Sequence, residues 1–304
     1  MVALHRPESD TSFLKGLGCT LFEGDLGDDP SELAQRIEGC RWAVHCAARV
    51  YSGKDWSAVQ VVNVEGTRNA LEAAARAGVR HAVHVSSVAV YGQTSGPMDG
   101  AGPLKGTIRP DNFYGRSKRL AEEAAAAIHD SGRLQVTIVR PSAVYGERDR
   151  LFAPTLVRVL RLPVVPVMGR GDNTVPVVYA GNVAAGVASA LDGRGSGNAF
   201  NLAVDYPLTQ RELLEGLAQG LGRSPTFVSL PAALVRGGAR LADGARFLVP
   251  GLRGPSGARV VRLALGENPY LSQRARDQLG WRPSVPHESA LHRTGRWLTE
   301  RGDQ

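Results

Sequence analysis

Apolar, β-branched stretches without alternation of polar and apolar positions recur through the first half of the chain, each separated from the next by a segment of helical period. They are VALH (2–5), CTLFEG (19–24), RWAVHCA (41–47), HAVHVSS (81–87) and QVTIVRP (135–141). Helical segments lie near 8–16, near 31–38, over about 56–78 and over 114–130. Strands that lack alternation are buried on both faces, and strands separated by helices join as right-handed βαβ units. The pattern therefore predicts an α/β fold with a doubly wound parallel sheet. Beyond residue 146 it loosens into short strands (175–179, 198–203) and helices (180–192, 208–220, 288–300) punctuated by Gly and Pro, which predicts a smaller α+β substrate region. The expected division is 1–165 and 166–304, with some late elements returning to the first domain.

At 304 residues and 43% hydrophobic composition the chain can bury a sizeable core. It shows no charged-then-apolar leader and no apolar run near the ~20 residues of a membrane span, so the cytoplasm is the expected location. Cys19, Cys40 and Cys46 have no metal-like spacing and sit in or beside apolar segments; reduced core cysteines and no metal site are expected. The net charge of +7 comes from basic residues spread along the chain and not interleaved with aromatics, so no nucleic-acid partner is expected. Among the 36 basic residues only Lys15, Lys54, Lys105 and Lys118 are lysines, which makes each lysine informative. The stretch 223–257 mixes apolar residues with arginine. Its simpler reading is an ordinary amphipathic helix and loop; the other is a cover over a greasy substrate or a peripheral membrane contact.

The chemistry concentrates in NFYGRSKRLAEE (112–123). Tyr114 and Lys118 are four apart, so on a helix they share a face. A phenol of pKa near 10 is a poor acid/base at neutral pH, and bringing it toward ~7 takes about 4 kcal/mol of preferential phenolate stabilisation. A neighbouring ammonium supplies part of that. Upstream, the strand HAVHVSS ends in Ser86 and Ser87. Ligands collect beyond the carboxyl ends of parallel strands, where Ser87 is placed to donate to a carbonyl oxygen that is gaining charge. On its own a Ser-Ser pair there is a turn or helix cap.

These features do not stand alone. EGDL (23–26), AVHCAA (43–48), NVEGTRNALEAA (63–74), VHVSSVAVYG (83–92), YGRSK (114–118) and VRPSAVYG (139–146) follow one another in an order that resembles the extended short-chain dehydrogenase/reductase family. The resemblance continues through VPVVYAGNVAAGV (175–187), 200–222 and 275–298. It implies hydride transfer to or from a nicotinamide cofactor, with Tyr114 as general acid/base, Lys118 lowering its pKa and binding the nicotinamide ribose, and Ser87 polarising the carbonyl. It further implies that Asp25 and Leu26 meet the adenine, Ala47 and Ala48 the adenosine side, and Pro141 and Ser142 the nicotinamide. Asn63 is implied to help order the cofactor site, and a homodimer to form through the helices at 56–78 and 114–130.

In this family a carboxylate ending the second strand holds the ribose of NAD, whereas a nearby Arg accepts the 2′-phosphate of NADP. VALH runs into His5 and Arg6 with no acid before Glu8, which favours NADP over NAD. Nucleotide-sugar members carry an Asn shortly after the sixth strand and an Arg before the later Tyr/His strand; here Ala143 and TVPVVYAGNV stand in those places. The resemblance is thus nearer the 3β-hydroxysteroid dehydrogenase and dihydroflavonol reductase branch, implying a hydrophobic alcohol or ketone. A nucleotide-sugar epimerase/dehydratase and a catalytically impaired cofactor-sensing or scaffold relative remain as alternatives.

No glycine-rich turn precedes VALH, which resembles the tail of the family's second strand. The expectation is a chain lacking about 30 residues of first strand, glycine turn and first helix, and a sheet divided where that central strand lies. The one GxxGxxG, GLRGPSG (251–257), follows Pro250 and contains Pro255, so it is expected to be a loop and not a phosphate turn.

Overall fold

The computed structural model describes residues 1–50, 55–94, 96–248, 261 and 265–302. The GxxGxxG motif lies outside the described residues. The chain divides into two compact units: Met1–Pro141 with Gly186–Leu202 and Ser272–Trp281, and Ser142–Ala185 with Ala203–Leu271 and Arg282–Gln304. The first boundary thus falls at 141/142, ahead of the expected 165/166, and two later segments belong to the first unit.

The first unit begins β1 (Val2–His5), α1 (Ser12–Gly16), β2 (Thr20–Glu23), α2 (Pro30–Arg36), β3 (Trp42–His45) and α3 (Trp56–Gln60). A π-helical turn (Val61–Glu65) carries α3 directly into α4 (Gly66–Arg76), so the expected 56–78 helix is one rod with a wide turn in it. β4 (His81–Val85), a 3₁₀ turn (Val88–Tyr91), α5 (Phe113–Asp130) and β5 (Gln135–Pro141) follow. Local chemistry sets these limits. Asp29 caps α2 ahead of Pro30 at the first helical position, and Asn112 caps α5 by accepting from Gly115 N at 3.1 Å. The first helix starts at Ser12, later than expected, because Asp10 binds Ser12 N and Oγ and holds the preceding residues out of the helix.

Among the described residues every pairing of named strands is parallel, and two isolated bridges, Gln93↔Thr107 and Thr174↔Thr209, are antiparallel. β3, β4, β5 and β9 (Ala199–Leu202) form a four-stranded sheet in that order, with registers Trp42↔His81, His81↔Gln135 and Ile138↔Ala199. β1 and β2 form a separate pair, Val2↔Thr20. Among the described residues no ladder bond joins β1 or β2 to β3, so the sheet is divided at the expected place. α4 reaches both parts: Leu71 and Ala74 pack with Ala82, Val136 and Ile128, while Ala73 packs with Leu33, Ala34, Leu4 and Phe22.

A buried network ties the sheet to α5. Arg140 on β5 forms a two-pronged ion pair with Glu122 (2.9 and 2.6 Å) and donates to Tyr91 OH, which donates to Asn201 on β9.

In the second unit β6 (Ala143–Tyr145) pairs with β8 (Val177–Tyr179), and β7 (Val164–Met168) with β10 (Thr226–Leu230). Around them lie α6 (Ala153–Leu160), the start of α7 (Ala180–Ala190), α8 (Gln210–Gly220), α9 (Ala232–Leu248) and α10 (His287–Gly302). α8 opens with a capping box, Thr209 and Glu212 satisfying each other's backbone N–H. Tyr145, Val165, Val167, Leu213, Leu217 and Leu291 centre its core. Buried Asp205 accepts from Tyr179 N, Asn182 and Tyr206 N and lies 3.2 Å from His287.

Candidate active site

The site grows from the carboxyl end of β4. Ser86 N donates to Val139 O on β5, which continues the ladder one residue past the strand. Ser87 then takes extended backbone angles, and its hydroxyl accepts from Ala89 N at 3.2 Å, starting the 3₁₀ turn. α5 starts directly over this turn. A Cβ on Gly115 would sit 2.9 Å from Ala89 O and 2.7 Å from Asn112 Nδ2, so only glycine permits that approach. The result is that the Ser87 hydroxyl lies near enough to the Tyr114 phenol to favour its ionised form. One helical turn on, Lys118 is 2% exposed and donates from Nζ to Val85 O at 2.8 Å. The structure therefore joins the three residues picked out in the sequence.

Their electrostatics differ from the sequence expectation. Burial pushes the Tyr114 phenol up, and only the Ser87 hydroxyl opposes it. Burial also pulls Lys118 down to about 8. The ammonium is held by a strand carbonyl, and the chain by itself does not lower the phenol. Behind Lys118, the rings of His45 and His84 stack with centroids 5.4 Å apart. Burial first, and the Lys118 charge second, hold His45 down at about 3 and His84 well below its usual value. Both rings are neutral at physiological pH. Thr67 gives its proton to Asn63 O and so receives that of His45 Nε2.

Asn63, implied to help order the site, is placed by its own hydrogen bonds. It sits in the π-helical turn with its amide fully used: Oδ1 accepts from Arg49 N, and Nδ2 donates to Arg49 O and to Ser117 Oγ. Ser117 in turn donates to Tyr114 O at 2.9 Å. Asn63 and Ser117 thus pin the segment after β3 to the turn that carries Tyr114. Ser117 was missed in the sequence, although its spacing of three from Tyr114 is the signal for a hydroxyl that bonds back to the preceding turn.

The remaining candidates in the first unit lie at or just past strand ends. Arg6 is exposed after β1; Asp25 is exposed after β2, its carboxylate accepting from Gly27 N. The Leu26 side chain rests on Gly66, and its carbonyl accepts from Asn69. Ala47 is exposed and Ala48 half-buried after β3, and Pro141 is buried as the last residue of β5. Ser142 falls in the second unit, where its hydroxyl donates to Ala203 O at 2.7 Å. The cysteines are free; Cys40, half-buried, packs against the core around Leu71 and Val79 as expected, whereas Cys19 is half-buried and Cys46 exposed.

A dinucleotide can be tested against these groups piece by piece. Ser87, Tyr114 and Lys118 offer hydroxyls and an amine to a carbonyl and a ribose, which fits the nicotinamide end. A diphosphate needs free helix N–H groups. Among the described residues of the first unit, Asp29, Asp55 and Asn112 already accept from the N-termini of α2, α3 and α5. Asp25, Asp28 and Asp29 place carboxylates before α2, and α1 is a single turn. The described residues fit the reacting end and not the diphosphate.

The comparisons agree with the geometry. A family model described as NAD dependent epimerase/dehydratase family matches residues 2–203. The chain belongs to the NAD-dependent epimerase/dehydratase family. The family is NAD(P)-dependent. Its curated members similar to this chain include an Arabidopsis thaliana 3beta-hydroxysteroid-dehydrogenase/decarboxylase, 28% identical over 88% of this chain and 50% of that protein. The human sterol-4-alpha-carboxylate 3-dehydrogenase is 26% identical over 90% of this chain and 76% of the other. The chain spans half to about two thirds of the length of the two Arabidopsis relatives, 50% and 63%. Among solved structures, gox2253 superposes with a TM-score of 0.76 at 27% identity over 98% of this chain and 90% of that one. DesIV of Streptomyces venezuelae, a dTDP-glucose 4,6-dehydratase with NAD bound, gives 0.71 at 26% identity over 99% and 88%.

Proposed function

We propose that the protein interconverts a secondary alcohol and its ketone on a hydrophobic small molecule, using NADP in preference to NAD. The observation that carries the reading is the approach of the Ser87 hydroxyl to the Tyr114 phenol, with Lys118 anchored one turn away. The bound nicotinamide supplies or accepts the hydride at the carbinol carbon. In the reducing direction Tyr114 gives its phenolic proton to the carbonyl oxygen while the Ser87 hydroxyl donates to the same oxygen, and in the oxidising direction Tyr114 takes the proton back. The raised phenol suits the role of acid. Asn63 and Ser117 hold the Tyr114 turn in place. Arg6 after β1, with no acid at that strand end, supports the NADP preference.

The hydrophobic substrate is supported by Ala143, by TVPVVYAGNV and by relatives whose names specify steroid and sterol substrates. The test is NADPH consumption with a panel of hydrophobic ketones, run beside NADH. Turnover on these ketones with NADPH ahead of NADH is the expected result; inactivity on all of them overturns the reading. A nucleotide-sugar substrate is the second reading, favoured by an Escherichia coli N-acetyl-alpha-D-glucosaminyl-diphospho-ditrans,octacis-undecaprenol 4-epimerase, 32% identical over 57% of this chain. Thermal protection by UDP- or dTDP-sugars, without protection by sterol-like ketones, selects it.

A further inference from the structure

The parallel pair β7 and β10 in the second unit has one well-packed face and one bare one. Val165 and Val167 point into the core, and the alternate positions point outward. The register sets Val164 opposite Thr226, Pro166 opposite Val228 and Met168 opposite Leu230. Five of these six outward residues are apolar; Val164 is 50% exposed and Val228 44%. At one end the face continues into Leu162, also exposed. At the other it runs through Pro231 into α9, where an open cavity of about 450 Å³ is lined by Met168, Arg170, Pro231, Ala232 and Leu265.

α9 extends the same character. Leu234 is 65% exposed and Leu241 76%, and at a spacing of seven they lie on one line of the helix. Arg236 and Arg240, both exposed, lie farther round the helix, about 150° and about 110° from that line, with the small residues Ala233 and Gly237 between. The less exposed side of the helix is Ala232, Val235 and Ala239, all half-buried. Arginine also marks the far end of the face, where exposed Arg161 and Arg223 stand beside Leu162, Arg223 donating to Arg161 O. Among the described residues no acid pairs with Arg161, Arg223, Arg236 or Arg240. Arg170 is paired with Asp172 at 3.1 Å.

We propose that this face, the outer side of β7 and β10 with the exposed line of α9, docks on an anionic lipid bilayer. Large exposed apolar patches with a polar rim mark interaction surfaces. Leucine and valine that enter the acyl boundary, flanked by arginines long enough to reach lipid phosphates, suit the interface plane. The charge selects among occupants. A second copy of this chain would bring arginine against arginine, and a nucleic acid would leave the valines and leucines in water. An anionic bilayer satisfies both. No described helix is long and apolar enough to cross a membrane, so the contact is peripheral. The inference does not depend on the reaction catalysed.

The test is co-flotation of the full chain with vesicles of phosphatidylcholine and of phosphatidylcholine mixed with phosphatidylglycerol. Binding to the mixed vesicles alone, weakened by added salt, is expected. At about 1 kcal/mol per basic residue near the surface, Arg236→Gln with Arg240→Gln weakens partitioning roughly thirty-fold. Leu234→Ser with Leu241→Ser weakens it at least as much. Both pairs lie on the solvent side of α9, and an unchanged circular dichroism spectrum verifies the fold of each variant. Failure to float with the mixed vesicles, equal binding to both vesicle types, or undiminished binding by both variants overturns the proposal. So does a dimer in light scattering that the leucine variant dissolves, which would make a second copy the occupant.

Discussion

Replacing Lys118 by Met should make the protein's response to alkali flatter, and the size of the effect follows from the burial of the ammonium. Free in an unfolded chain the amine titrates at 10.5, and in the folded protein at about 8. Between those values the unfolded chain holds a proton that the native state has released, so stability rises with pH across that window. Below pH 8 the buried ammonium costs the native state the full difference, about 3 kcal/mol at about 1.4 kcal/mol per pH unit. By about pH 9.5 roughly 2 kcal/mol of that penalty has been relieved. The variant cannot titrate, so the stability of Lys118→Met minus that of wild type should fall by about 2 kcal/mol from pH 7 to pH 9.5. Groups that do not interact with Lys118 titrate alike in both proteins and cancel in the difference. Loss of the bond to Val85 O shifts the whole curve by about 1 to 3 kcal/mol without changing its slope. Urea unfolding at several pH values, with equal m-values, measures it. A difference independent of pH would refute a neutralised, buried Lys118.

The raised Tyr114 phenol predicts opposite pH profiles for the two directions: kcat/KM for ketone reduction holds into alkaline pH, while alcohol oxidation climbs with pH, as steady-state rates in each direction will show. Removing one charge from the buried Arg140 and Glu122 pair by Glu122→Gln should cost about 3 to 5 kcal/mol in chemical denaturation, because the arginine stays buried without its counter-ion. His45, held at about 3 against 6.5 when free, is neutral in the fold but protonates in the unfolded chain as pH falls below 6.5; His45→Asn should therefore recover about 2 kcal/mol of the stability lost between pH 7 and pH 5.

The parallel architecture was legible because both-face burial leaves a compositional mark on β4 and β5. Tyr114 and Lys118 could be set on one helix face from their spacing, and the family resemblance was needed to bring Ser87 to them. Their titration could not be read this way, because it depends on which carbonyl takes the ammonium and how much water reaches the phenol. Val85 O and the stacked histidines are tertiary neighbours with no spacing signature. The Asn63 role was hidden for the same reason: a buried amide reads alike in sequence whether it faces a ligand or clamps Arg49. The unit boundary was misplaced because elements after residue 141 leave and rejoin the first unit, as Gly186–Leu202 does through β9.

The central claim is that Tyr114 is the proton donor and acceptor at a nicotinamide site. Its most direct test is single-turnover oxidation of NADPH by a hydrophobic ketone substrate in wild type and Tyr114→Phe, with NADPH binding followed separately by fluorescence. The account predicts unchanged NADPH affinity and a rate about 10²- to 10⁴-fold lower in the variant. Wild-type turnover in Tyr114→Phe would contradict it.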